Sequence, residues 1–273
     1  MRRKTILLAT VALLLLLSAS GVYFYKEINI YGFKLKGFDS LVTPHFNILF
    51  LPQDRHEVEA VAKAAEKTYA KVGKDFNFFP EDRIPIVIYP DSESLQQAFN
   101  WPADESTQGV YYRGFIYIQA PGAWIDDTRK LEDIFFKKGP MVHEYTHLVV
   151  DRLTGGNYTR WFTEGVAQYE EERVTGYTLA QDFDIDKSEL YSLDDIIHKF
   201  DELPDVPKAY IEALDMTKIM AGKDGIAEIR NILSLLKGGA SADEIFLQRA
   251  GKTPLEGKTH LVTNIINGGD HFE

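Results

Sequence analysis

His143, Glu144 and His147 stand in the run His143-Glu144-Tyr145-Thr146-His147, two imidazoles four residues apart with a carboxylate beside the first. On an α-helix residues i and i+4 share a face, so both imidazoles can meet one ion. Glu144 projects beside that face, where it can take a proton from a water held by the ion. Catalytic zinc takes three protein ligands and an open fourth position. Glu164 is the candidate third ligand, 17 residues after His147 and beyond the turn residues Gly155, Gly156 and Asn157. Gly165, Val166, Ala167 and Tyr169 suit a second helix packed on the first. The chain has no cysteine, which excludes thiolate ligands, disulfides and cysteine nucleophiles, so a metal must use His, Asp or Glu. The plainer alternative is two histidines on a helix surface.

The run Trp161-Phe162-Thr163-Glu164-Gly165-Val166-Ala167-Gln168-Tyr169 resembles the W-x-x-E-G-x-A-x-Y signature of gluzincins, which aminopeptidases and the small peptidase MA-like domains share. The resemblance implies a zinc-dependent metallopeptidase, with His143, His147 and Glu164 as ligands of Zn2+. It makes Glu144 the general base that activates water and passes its proton toward the leaving amine. It also implies Tyr210 as oxyanion donor, because Lys208-Ala209-Tyr210-Ile211-Glu212-Ala213 resembles the downstream a-Y-x-x-a segment of such domains. A packing role is the alternative for Tyr210, and His198 is a further candidate donor.

Relatives often place a carboxylate one turn after the third ligand, where this chain has Gln168. Support for the ligating histidines then falls to the Gln168 carbonyl or to Glu171, with Glu170 and Glu171 otherwise forming a solvated acidic face. Substrate is expected to pair as an added strand with a sheet edge within residues 109–119. Residues 251–255 resemble the closing G-x-s-L segment of peptidase MA-like domains, and the likeness spans most of residues 45–265. No anchor for a substrate amino terminus is legible, so end-trimming and internal cleavage both stay open. The altered Gln168 position also motivates a second reading, a non-catalytic envelope binding module that retains the zincin fold.

The elements that must position these residues follow from periodicity. The expected fold is α+β and zincin-like: a small amino-terminal mixed sheet with helices, then a mostly helical lobe, with the active-site helix between them. Phe46, Ile48 and Phe50 alternate as in a half-buried strand over residues 45–51, and residues 84–89 form a second strand between Pro80 and Pro90. Between them, Val58, Val61, Ala65, Tyr69 and Val72 recur at helical spacing over residues 57–74, with Asp54 as a cap. Asp91 and Ser92 start a short helix through Phe99. Residues 109–119 are β-rich and interrupted by Arg113-Gly114, giving a tight hairpin or a bulged strand. From Asp127 onward the pattern is helical. Pro140 and Gly155-Gly156 bound the His143 helix, and residues 211–221, 226–236 and 242–250 form amphipathic helices, with Gly238-Gly239 a stop.

At 273 residues and 45% hydrophobic content, the chain suffices for one large domain or two closely joined lobes. A net charge of −11 lacks the basic field that phosphate binding needs, so nucleic acid is excluded as a partner. Arg2, Arg3 and Lys4 precede a charge-free stretch over residues 5–25. That stretch is either a cleaved signal peptide, with Ser18, Ala19 and Ser20 before Gly21, or an anchor just long enough for about 30 Å of hydrocarbon. Tyr23, Phe24 and Tyr25 followed by Lys26 favour the anchor, and both readings put the body outside the cytoplasm. The expected organisation is a leader over residues 1–25, a tether over 26–44 and the peptidase domain over 45–267. The oligomeric state is not legible.

Overall fold

The computed structural model describes residues 36–101, 107–183 and 190–250. The expected leader, most of the tether and residues 251–255 lie outside them. Among the described residues no helix is long and apolar enough to cross a membrane.

Five strands are present: β1 Asp39–Val42, β2 Phe46–Phe50, β3 Ile84–Tyr89, β4 Gly109–Tyr112 and β5 Phe115–Gln119. They make one mixed sheet in the order β1-β2-β3-β5-β4, parallel at β2/β3 and β3/β5 and antiparallel at both outer pairs. The central strand β3 is buried at every position but Pro85, because helices cover both faces. On one face Ile48, Ile84, Ile86, Ile116 and Ile118 join the main core. On the other, Val87, Tyr89 and Tyr117 pack with Leu95. Each such fully buried Ile contributes roughly 1.5–3 kcal/mol of transfer free energy.

Helix α1, Val58–Phe76, joins β2 to β3 and buries Val58, Val61, Ala65, Tyr69 and Val72, the stripe its periodicity marks. Helix α2, Ser92–Phe99, is capped by Asp91, whose side chain accepts from the Ser94 amide at 2.7 Å. After β5 the chain is helical: α3 Leu131–Lys138, α4 Met141–Thr154, α5 Arg160–Thr175, α6 Leu193–His198, α7 Val206–Ala221, α8 Ile226–Lys237 and α9 Ala242–Ala250. This is the α+β order expected, with α4, the helix of His143, between sheet and helical lobe.

Three details differ from the sequence reading. Asp39–Val42 lies in the stretch read as a tether yet pairs along β2; this edge strand is largely exposed, so no apolar alternation marks it. Asp54 does not cap α1. It is buried in a short 3-10 turn, while the Glu57 carboxylate at the start of α1 accepts from the Gly122 amide at 2.7 Å. Helix α7 begins at Val206 rather than residue 211, because Asp205 caps it and Pro207 fits its first turn. The hairpin alternative holds for residues 109–119: Arg113 and Gly114, both at positive φ, form a two-residue turn between β4 and β5.

Gly165 sets the distance between α5 and α7. A Cβ there would collide with Thr217 Oγ1 and the Ala213 carbonyl, so only glycine lets the two helices approach this closely. Glu170, on α5, is fully buried rather than solvated, because the end of α1 covers it. Neither carboxyl oxygen has a well-formed hydrogen bond, and the Arg173 Nε is 3.4 Å away. Burial, with the charge of Asp75, pushes the Glu170 carboxyl up to about 9. The native state therefore keeps a proton that the unfolded chain releases above its ordinary value near 4.5. This group's contribution to stability is undiminished below that value and falls as pH rises toward 9. Glu170→Gln is accordingly expected to raise the thermal midpoint at pH 8 and to flatten its decline between pH 5 and 9, as read by thermal unfolding in that window.

Candidate metal centre and active site

Helix α4 starts after Pro140 and stops at Gly155, whose positive φ of 66° provides the left-handed cap. The turn to α5 is pinned by Asn157, whose Nδ2 donates to the Leu236 carbonyl at 2.5 Å and to the Ala240 carbonyl at 3.1 Å. With the turn fixed, α5 crosses α4 so that Glu164 faces both histidines. The imidazole centroids are 4.8 Å apart and nearly perpendicular. Glu164 Oε2 lies 3.1 Å from His143 Nε2 and 3.5 Å from His147 Nε2. One ligand atom from each of the three residues falls within 4.8 Å of the others.

This donor set fits a divalent ion. Two imidazole nitrogens and one carboxylate oxygen are a zinc set with a fourth position left over. The rear nitrogens are also held, as ligation requires. His147 Nδ1 lies 2.7 Å from Thr163 Oγ1, and His143 Nδ1 lies 3.5 Å from Glu171 Oε2. With Nδ1 as the donor in each ring, each Nε2 would be left to offer its lone pair to a metal ion held beside Glu164. Glu171, one of the two candidates read from the sequence, is the group that lies beside His143 Nδ1. Gln168 is engaged elsewhere, its Nε2 donating to the Tyr210 carbonyl at 2.7 Å and the Glu164 carbonyl at 3.4 Å.

Electrostatics follow the same pattern. Burial works to raise Glu164, but the charges of His147 and Arg160, with hydrogen bonds from both histidines, hold its carboxyl well below the ordinary range. Burial disfavours charge on His143, yet Glu164 and Glu171 outweigh it and raise that imidazole.

Glu144 is buried beside the two histidines. Its Oε2 accepts from the Tyr111 amide at 2.6 Å. Burial raises its carboxyl, partly offset by the charges of His143 and His147. Gly109 makes the approach to β4 possible, since a Cβ there would lie 2.6 Å from Pro140 Cβ and 3.0 Å from Glu144 Cγ. A second tie is the Tyr111 hydroxyl, which donates to Asp151 Oδ2 at 2.6 Å on α4. Strand β4 is thereby fastened to the helix that bears both histidines, and it is one of the two outer strands of the sheet.

The site opens into a cleft of about 1100 Å³ lined by β4, α4, α5 and the start of α7. Tyr210 lines it, its hydroxyl accepting from Arg160 Nη2 at 3.3 Å. Burial, and then the Glu164 charge, raise the Tyr210 phenol, so it stays protonated and able to donate. His198 is not part of the site: its side chain is 66% exposed and faces Asp194 at 3.7 Å. Sequence reasoning missed Thr163, the Tyr111–Asp151 tie and Arg160. Arg160 alone left a local signal, one turn before Glu164.

Thr163→Val keeps the side-chain volume and removes the acceptor for His147 Nδ1. Zinc affinity is expected to fall by roughly 10–100-fold, read by competition with a chromophoric chelator. An affinity unchanged within about twofold would mean that Thr163 does not orient His147.

Residues 64–267 match the family model described as the Peptidase MA superfamily. Among solved structures, the crystal structure of Legionella pneumophila aminopeptidase A in complex with aspartic acid is similar, with a TM-score of 0.50 and 14% identity. The likeness covers 78% of this chain and only 26% of that chain, and it bears on the fold alone. A search of curated proteins returns no match.

Proposed function

The chain belongs to the Peptidase MA superfamily, and from that premise we propose that it is a zinc metallopeptidase hydrolysing peptide bonds outside the cytoplasm. The observation that carries this reading is the convergence of His143, His147 and Glu164 within 4.8 Å beside the buried carboxylate of Glu144. His143, His147 and Glu164 would hold the zinc ion, which when bound would supply Lewis-acid polarisation and an activated water with a pKa of about 7.

The chain's own residues do the rest. Glu144 takes a proton from the attacking water and delivers it to the leaving amine, while the Tyr111 amide fixes the direction of its carboxylate. Tyr210 donates its hydroxyl hydrogen to the oxyanion that forms as the carbonyl carbon becomes tetrahedral. An extended substrate pairs along β4, a strand at one edge of the sheet, and its side chains meet the cleft walls. Those walls include Trp101, Tyr177, Leu179, Phe183 and Val206, surfaces that suit apolar side chains. Among the acidic groups facing the cleft, Glu171 is paired with His143 and Asp201 with Arg160.

The location rests on the basic start and charge-free stretch over residues 5–25, and we place the body on the outer side of a membrane with that stretch as its anchor. Incubating the purified chain with a peptide library and reading products by mass spectrometry tests the activity. Products that vanish with a chelator and return with zinc support it. A zinc-loaded chain that cleaves nothing and still binds a partner favours the non-catalytic binding module.

A further inference from the structure

Arg160, Glu164 and Gln168 are spaced four residues apart on α5, so they rise from one stripe of that helix. The middle residue is the expected metal ligand, and both outer residues reach Tyr210 on α7. Arg160 Nη2 meets the Tyr210 hydroxyl at 3.3 Å, and Gln168 Nε2 donates to the Tyr210 carbonyl at 2.7 Å. Arg160 is itself held from two sides, its Nη1 2.7 Å from Glu164 Oε1 and its Nε 3.1 Å from Asp201 Oδ1.

A guanidinium carries five N–H donors and no acceptor. Its contact with Tyr210 therefore has a single polarity, in which the phenolic oxygen accepts. The phenol's own hydrogen is not used by Arg160, and among the described residues Tyr210 donates it to no protein acceptor. A cation donating to the oxygen also makes the phenol a stronger donor, because hydrogen bonds in a chain polarise one another. The hydrogen is thus available to a group bound in the cleft that Tyr210 lines.

We propose that Arg160 is a positioning residue: it fixes the Tyr210 oxygen, so that the phenol hydrogen meets the oxyanion of the tetrahedral intermediate, and ties that donor to Glu164. This rests on the peptidase reading and gives it a geometric device. The planar fork is required, because one lysine ammonium is a point charge that cannot span Glu164, Asp201 and Tyr210 with fixed geometry. Gln168, at the position where relatives often carry a carboxylate, clamps the other end of the same tyrosine.

The test uses the full-length, zinc-loaded chain and reads two quantities: kcat and KM on a cleaved peptide, and the Kd of a phosphinic peptide whose tetrahedral anion mimics the intermediate. Tyr210→Phe is expected to lower kcat and weaken phosphinate binding by on the order of 10²-fold. Arg160→Met is expected to lower both by about 10-fold, with KM and zinc content unchanged. Arg160→Lys restores less than half of that loss on a logarithmic scale. In the Tyr210→Phe background, Arg160→Met adds less than about twofold, since no hydroxyl remains to be aimed. Should Arg160→Met fail to fold, Asp201→Asn, on the exposed side of the clamp, carries the same readout: a smaller loss that disappears beside Tyr210→Phe. Equal losses in both backgrounds overturn the proposal. So does loss of zinc from Arg160→Met, because Arg160 then acts through the metal ligand. Failure of the peptidase reading looks different, as a zinc-loaded wild-type chain that neither cleaves peptides nor takes the phosphinate.

Discussion

Glu144→Gln is expected to lower kcat by on the order of 10²–10⁴-fold while the zinc content of the chain stays unchanged. The substitution is close to isosteric, and the amide oxygen can still accept from the Tyr111 amide that now meets Glu144 Oε2 at 2.6 Å. Burial raises Glu144, so replacing it with a neutral group relieves a desolvation cost and leaves no charge unpaired. The protein should fold at least as well as before. What disappears is the ability to accept a proton from water and return it to the amine. Kinetics on the best library peptide and metal analysis of the same preparation read the two halves of this expectation.

His147→Ala is expected to remove zinc and hydrolysis together. His147 is the buried candidate ligand held on both sides, its Nδ1 2.7 Å from Thr163 Oγ1 and its Nε2 3.5 Å from Glu164 Oε2. Loss of a ligating nitrogen exceeds the roughly 10–100-fold affinity change expected for an outer-shell group, so the chain should retain no metal at micromolar free zinc. Stability is expected to fall as well, because Glu164 is buried and one of the charges that holds its carboxyl down is gone. Comparison with Thr163→Val separates loss of a ligand from loss of its support.

The site was legible wherever one helix carried the information. His143 and His147 are four residues apart on α4, and helical geometry alone brings them together. Glu164 needed a second motif, and Gly165 within that motif has a visible purpose, since it lets α7 approach α5 closely enough for Tyr210 to face the cleft. The helices of the carboxy-terminal lobe were legible because their apolar stripes face one core. The remainder depends on contacts between distant parts of the chain. The Tyr111–Asp151 tie joins residues 40 positions apart, and Arg160–Tyr210 joins residues 50 apart. No periodicity marks either.

Two failures have specific causes. Strand β1 is held by backbone pairing to β2 while most of its side chains stay exposed, so the hydrophobic pattern that marks β2 and β3 is missing. Glu170 looks solvated in sequence because it adjoins Glu171 and Glu172, yet helical geometry turns neighbouring residues about 100° apart. Glu171 turns toward His143, while Glu170 turns toward the end of α1 and becomes buried. The contrast shows how an acidic run divides between facing a cleft histidine and carrying a protonated carboxyl in the core.

The central claim is that His143, His147 and Glu164 hold one zinc ion beside Glu144. Metal analysis by inductively coupled plasma mass spectrometry tests it most directly, on wild-type, Glu144→Gln and His147→Ala chains dialysed against the same low zinc concentration. About one zinc per chain is predicted for the first two and none for the third. A wild-type chain that takes up no zinc while folded, or a His147→Ala chain that keeps a full equivalent, would contradict the account.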